Sequence, residues 1–300
     1  MRAVVTGASG FVGTQLVEHL RERGDEVFGF DRERDVTDEA SVREVFASFR
    51  PDVTYHLAAL THVGDSWKHA EEFTRVNVVG TQRVLDVAFN MVPNSTTIVV
   101  SSSEVYGVVS EADQPLRETF RVAPANPYSS SKVEAERVAR DAWSVRRQRV
   151  VIARPFNHIG PGQSATFVVP ALATRLLDAK ERGATEIPVG DLSTRRDFSD
   201  VRDVVRAYRL LAEFGASGEV YNVASGHDVA LSDIAKRLVE QIAPDVGLVV
   251  DPELLRPNDV PVFRGSYEKL NVATGWSPLI TLDTSLADVV ADLVEQRRLR

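Results

Sequence analysis

The chain has 300 residues, 43% hydrophobic and 26% charged, with a formal net charge of −8 and no cysteine. That length supports one large domain or two smaller ones around a sizeable core. The acidic balance argues against a broad nucleic-acid-binding surface, and the lack of cysteine excludes disulfides, thiolate metal sites and a cysteine nucleophile. No uninterrupted apolar run approaches the ~20 residues of a membrane span. The sequence MRAVVTG enters an apolar strand at once, without the basic, apolar and cleavage regions of a signal peptide. The expectation is a cytoplasmic protein with neither a membrane nor a nucleic-acid partner.

In chain order, AVVTG (3–7) reads as a short strand closed by glycine, and FVGTQLVEHLRERG (11–24) as a helix. Between them, Gly7, Gly10 and Gly13 form a GxxGxxG loop. In a strand–loop–helix setting, Gly7 permits the tight turn, Gly10 lets backbone approach a pyrophosphate, and Gly13 lets helix and strand pack closely. The helix start at Phe11, Val12 and Gly13 offers unsatisfied N–H groups and positive dipole character to phosphate. The competing reading is a βα turn that binds nothing; the context favours a cofactor. EVFGF (26–30) is the next strand, and Asp31 follows it, 18 residues after Gly13. A carboxylate there accepts from an adenosine ribose 2′-OH and repels a 2′-phosphate. NADH is therefore favoured, while Arg32 and Arg34 keep NADP(H) open.

DEASVREVFASF (38–49) has helical spacing, with Asp38 or Thr37 as cap. VTYHLAA (53–59) and TIVVSSS (97–103) are further strands separated by a long helical stretch, and RVVIARP (149–155) is another. Such alternation indicates βαβ units and a doubly wound parallel sheet. Between the last two strands lies PYSSSKVEAER, in which Tyr128 and Lys132 share a helix face behind Pro127. A cation one turn from a phenol lowers its pKa, giving a proton donor or acceptor near neutrality. Alone, the pair favours a chance pairing on a surface helix.

The second half is less regular. Helices are expected over 167–183, 201–215, 231–243 (with Ser232 as cap) and 282–298, and a strand over 219–225. No repeat, low-complexity tract or Gly/Ser linker appears. The layout predicts residues 1–156 plus about 192–224 as a nucleotide-binding domain, with about 157–191 plus 225–300 as a smaller α/β substrate domain. His56, His62 and His158 have no metal-ligand spacing, so no metal is expected; His56 in its apolar strand reads as packed.

TGASGFVG (6–13), LAA (57–59), SSSEVYG (101–107) and YSSSK (128–132) stand in order, and together they resemble the extended short-chain dehydrogenase/reductase family of NAD-dependent epimerases and dehydratases. RPFNHIGPGQ (154–163), RRDFSDVRDVV (195–205), LRPNDVP (255–261) and TGW (274–276) resemble its branch acting on GDP-linked 4-keto-6-deoxy sugars. The resemblance implies a seven-stranded Rossmann sheet with a C-terminal substrate domain. It implies Ser102, Tyr128 and Lys132 as the reaction residues, with Leu57, Ala58, Ala59 and Pro155 joining the cofactor contacts. Ser103, Glu104, Asn157, Arg196 and Arg256 would contact the nucleotide sugar, the two arginines at its diphosphate. Glu104 carries an alternative, since in dehydratases an acid there moves protons of the sugar ring. Arg195, Arg202 and Arg206 read as solvated or helix-pairing charges. Reduction of a 4-ketone with NAD(P)H is the leading reading; a 4,6-dehydratase or epimerase and a non-catalytic dinucleotide sensor are its rivals. Family members commonly form homodimers, here through the helices at 78–89 and 128–143.

Overall fold

In the computed structural model, all residues are described except 32, 255–259 and 300. The Arg32 and Arg256 expectations therefore lie outside the described residues. The chain runs β1 (Arg2–Thr6), α1 (Phe11–Glu22), β2 (Glu26–Phe30), α2 (Glu39–Phe49), β3 (Val53–His56), α3 (Val63–Ser66) and α4 (Ala70–Thr74). A π-helical turn, Arg75–Val79, leads into α5 (Gly80–Met91), then β4 (Thr96–Val100), α6 (Pro127–Arg146) and β5 (Val150–Pro155). These strands and β9 (Val220–Val223) form one wholly parallel sheet, ordered β2-β1-β3-β4-β5-β9.

The strands are buried on both faces, and alternate residues divide between two helix layers. Ala3, Val5, Ile98, Val151 and Ala153 pack with Leu16 and Leu20 of α1 and with Val204, Tyr208 and Leu211 of α8 (Val201–Phe214). Val4 packs with Phe46 of α2 and Val84 of α5, while Val99, Val150 and Ile152 meet Ala139 and Ala142 of α6. This is the doubly wound α/β architecture.

The remainder comprises β6 (Asn157–Ile159), α7 (Val168–Arg182), β7 (Glu186–Val189), β8 (Arg195–Asp200), β10 (Asp228–Ala230), α9 (Leu231–Ile242), β11 (Gly247–Val250), β12 (Val262–Phe263), α10 (Glu268–Thr274) and α11 (Leu282–Arg298). Strand β8 pairs with β6, β10 and β12, and β7 pairs with β11. Leu172 and Leu176, Ile234 and Leu238, and Leu286 and Val289 bring α7, α9 and α11 into a separate core that includes Phe198. The fully buried Trp276 and Leu270 instead join the core of the large sheet.

Two expectations need correction. The large sheet has six strands among the described residues, not seven. Past β9 the chain turns back as β10, which pairs antiparallel with β8 and so joins the small sheet. Ser232 does not cap α9: the cap is Ala230, and the Ser232 N–H donates to the Leu192 carbonyl. Asp38 does cap α2, accepting from the N–H groups of Ala40 and Ser41. No helix among the described residues is long and apolar enough to cross a membrane.

Candidate active site

Because the sheet is parallel, its strands end at one edge and deliver Gly7, Asp31, Leu57, Ser101–Ser102 and Pro155 there together. In a sheet ordered 2-1-3, the crevice between β1 and β3 is the topological switch where ligands bind. Gly7 (φ +72°) lies in that crevice, and a Cβ on it would stand 3.0 Å from the Ala58 nitrogen. A Cβ on Gly13 would meet the Gly7 carbonyl oxygen at 2.0 Å. The LAA segment is tied to the loop through Thr6, whose hydroxyl accepts from Ala58 N–H at 3.1 Å and whose carbonyl accepts from Leu57 N–H at 3.2 Å. Gly10 caps α1 without a side chain, so the helix presents backbone and positive dipole outward. Ser9 N–H donates to the Asp31 carboxylate, which brings that acid to the loop as expected. The Arg34 guanidinium lies over the Phe28 ring. The Phe11 ring stacks on His158, centroids 5.9 Å apart and 8° from parallel. The cradle suits a dinucleotide diphosphate: small, backbone-lined and open at a helix N-terminus.

Helix α6 begins where it does because Asn126 and Ser129 form a reciprocal capping box with Pro127 in the first turn. Its first turns carry Tyr128 and Lys132, both buried. Ser102, two residues past β4 at the cap of the following 3-10 turn, interacts with the Tyr128 phenol. Burial pushes Tyr128 up to about 12; the interacting Ser102 hydroxyl pulls the other way and nearby Glu104 adds to the rise. Lys132 does not lower the phenol in this structure, contrary to the spacing-based expectation. Its ammonium donates to the Val100 carbonyl at 2.8 Å instead. Burial lowers Lys132 to about 8, against an opposing pull from Glu136. Tyr128 thus holds its proton firmly at neutral pH, and Lys132 is close to its titration point.

Ser103 is buried and Glu104 exposed in the short 3-10 turn after Ser102, whose hydroxyl accepts from Glu104 N–H at 3.2 Å. Asn157 opens β6 opposite Phe198, two residues beyond Arg196 on β8. The Arg196 guanidinium donates to the carbonyls of Val260 (2.7 Å) and Arg195 (2.8 Å). Arg195, Arg202 and Arg206 pair with Asp228, Asp200 and Asp203, as expected of structural charges. His56 is packed between the hydroxyls of Thr6 and Thr81, and burial lowers it to about 3. No group of three or more His, Cys, Asp or Glu among the described residues could hold a metal.

Sequence reasoning missed Asn77. In the π-helical turn its amide bonds both the N–H and the carbonyl of Leu60 and donates to Ser131 Oγ, which in turn donates to the Tyr128 carbonyl. It links the LAA segment to the helix of Tyr128. The only signal in the sequence was a polar residue among the valines of a helical stretch, Val76, Val78 and Val79.

Residues 3–224 match the NAD dependent epimerase/dehydratase family. The chain belongs to that family. This member is 34% identical over 294 residues to GDP-6-deoxy-D-mannose reductase of Pseudomonas aeruginosa, covering 97% of this chain and 96% of the relative. A dTDP-glucose 4,6-dehydratase of Neisseria gonorrhoeae is 29% identical over 96% of this chain and 94% of its own length. A solved structure of RMD from Pseudomonas aeruginosa complexed with NADPH superposes with a TM-score of 0.91 at 32% identity, covering 99% of this chain and all of that one.

Proposed function

We propose that this family member reduces the C4 ketone of GDP-4-keto-6-deoxy-D-mannose with NAD(P)H, giving GDP-D-rhamnose. The observation that carries this reading is the end-to-end likeness to the Pseudomonas reductase, together with a Ser–Tyr–Lys group at the edge of a dinucleotide-type cradle. When bound, NAD(P)H supplies the hydride to the carbonyl carbon. The glycine loop and the start of α1 would hold the diphosphate, and Asp31 would accept from the adenosine ribose. Tyr128 gives its proton to the ketone oxygen; its raised pKa makes it the protonated acid at neutral pH. The backbone N–H of Glu104 occupies a lone pair of Ser102 Oγ, leaving the hydroxyl hydrogen to donate to the same oxygen. One of three Lys132 N–H donors goes to Val100; the others would serve the nicotinamide ribose. Asn157, Arg196 and Ser103 line the sugar-nucleotide side.

Supplying the GDP-linked 4-keto sugar with NADH or NADPH should consume one reduced cofactor per ketone. A second reading, the 4,6-dehydratase, is favoured by one feature: Glu104 is close enough to Tyr128 to act on its ionisation. A 4-keto-6-deoxy product from GDP-mannose without added reductant would establish it over the reductase. We also assign residues 1–156 plus 192–224 to cofactor binding and the rest to substrate binding, with the segment around Leu270–Trp276 returning to the first core. A cytoplasmic homodimer through α5 and α6 completes the proposal. Arg146 of α6 covers Phe89 of α5, and both Phe89 and Trp143 remain exposed there.

A further inference from the structure

Directly beneath the reaction residues lies a buried ion pair that the proposed chemistry does not use. Glu136 stands one helical turn beyond Lys132 on α6, and Arg154 is the penultimate residue of β5. Both are almost fully buried. The pairing is bidentate, Arg154 Nε to Glu136 Oε1 at 2.7 Å and Nη2 to Oε2 at 2.6 Å. Ser101, immediately before Ser102, donates its hydroxyl to Glu136 Oε1 at 2.6 Å. The Ser101 N–H is tied to the Ala153 carbonyl at 2.8 Å. The far side of the guanidinium lies 4.9 Å from the centre of the Tyr106 ring, whose hydroxyl donates to Asn222. One carboxylate thus joins the helix of Tyr128 and Lys132 to the segment bearing Ser102.

A buried ion pair is rarely retained for stability alone, since desolvation offsets most of the attraction. We propose that Glu136 and Arg154 are positioning residues for the reaction centre: they lock Ser102 in register with Tyr128 and set how strongly Lys132 holds its charge. This rests on Ser102, Tyr128 and Lys132 being the reaction group. The surroundings leave Glu136 as the dominant nearby anion. Glu136 from α6 and neutral His56 from β3 interact electrostatically with Lys132, and Arg154 from β5 reaches it through its pairing with Glu136. Glu104 acts on Tyr128 rather than on Lys132, Tyr208 is influenced by Tyr128, and Arg140 reaches Glu136 only at 3.5 Å from an exposed position. A lysine buried as deeply as Lys132 needs that anion to remain an ammonium at neutral pH.

Opposite halves of the pair should move Lys132 in opposite directions. The chain has five lysines, so lysines labelled with 13C at Cε can be titrated by NMR in the cofactor-free protein, with Lys132→Gln identifying the signal. Glu136→Gln should lower the Lys132 midpoint by about one pH unit or more. Arg154→Met should raise it, and Arg154→Lys should restore the wild-type value. In NAD(P)H binding followed by fluorescence, the alkaline loss of affinity should shift the same way. If the single variants do not fold, Glu136→Gln/Arg154→Met removes both charges together, and its Lys132 midpoint should still fall below wild type because the carboxylate is the charge that supports the ammonium. Same-direction shifts in the single variants, or an unchanged midpoint in a folded variant, overturn the proposal. The reaction reading is tested separately: a Tyr128→Phe protein that keeps its turnover refutes that reading whatever the titrations show.

Discussion

The edge proposed for the cofactor and the side proposed for the sugar nucleotide are built from different materials. At the cofactor edge, recognition is prepared by atoms that are missing: Gly7 and Gly13 let loop, helix and β3 approach closer than any side chain allows. On the other side, position is set by charge. The fully buried Asp197, raised to about 6 by its burial, accepts from Ser225 N–H (2.8 Å), Ser225 Oγ (2.6 Å), Gly226 N–H (3.0 Å) and Gly265 N–H (3.2 Å). It gathers β8, the end of β9 and the approach to α10, beside Arg196. The first region should fail when an atom is added, and the second when a charge or donor is lost. Tyr128 stands at the seam between them.

The largest expected effect is at that seam. Tyr128→Phe keeps the ring packed edge-on against Phe73 and removes only the proton donor. Turnover should fall ~10²–10⁴-fold, as loss of general acid catalysis does, with cofactor affinity nearly unchanged in a fluorescence titration. Because Tyr128 titrates far above neutrality, the wild-type rate should show no loss from phenol ionisation between pH 6 and 8.

Next comes an added atom on the cofactor edge. Gly→Ala inside an ordinary helix stabilises by ~1 kcal/mol. Gly13→Ala should do the reverse, because its Cβ would meet the Gly7 carbonyl at 2.0 Å and overpacking costs ~1–3 kcal/mol. Thermal melting should drop by several degrees and NAD(P)H binding should weaken at least tenfold. A more stable Gly13→Ala protein would remove the contrast between the two regions.

A lost charge on the other side should behave differently. Arg196→Met should raise KM for the GDP-linked substrate about tenfold or more, the worth of a charge-assisted hydrogen bond at ~1.5–3 kcal/mol. The cofactor Kd should not move. Equal losses in both would show that the two regions are not separable at β8.

The smallest effect sharpens the cofactor edge itself. Asp31→Ala should shift preference from NADH toward NADPH by ~1 kcal/mol, about fivefold, through loss of like-charge repulsion at the ribose. Competitive binding of the two cofactors measures it, and an unchanged ratio would move the discrimination away from Asp31.

The elements that the sequence made legible are those in which local chemistry and fold agree. Strands buried on both faces read as apolar runs, the glycine loop as a turn, and Pro127 with its neighbours as a helix start, so the doubly wound fold and the shared helix face of Tyr128 and Lys132 followed directly, while Ser102 entered through the family resemblance. Short strands such as β6, β10 and β12 carry no such period, since three residues or fewer cannot display an alternation. Their pairing with β8 exists only because distant segments converge. The same convergence decided the electrostatics. Spacing placed Lys132 one turn from Tyr128, but the Val100 carbonyl determined where its ammonium points, and burial sent the phenol's pKa upward rather than down. Asn77, Glu136 and Arg154 looked like ordinary polar residues along the chain. Only packing removed them from water, and a polar group without water must find its partners in the fold: Leu60 and Ser131 for Asn77, Ser101 and Arg154 for Glu136, and Glu136 for Arg154.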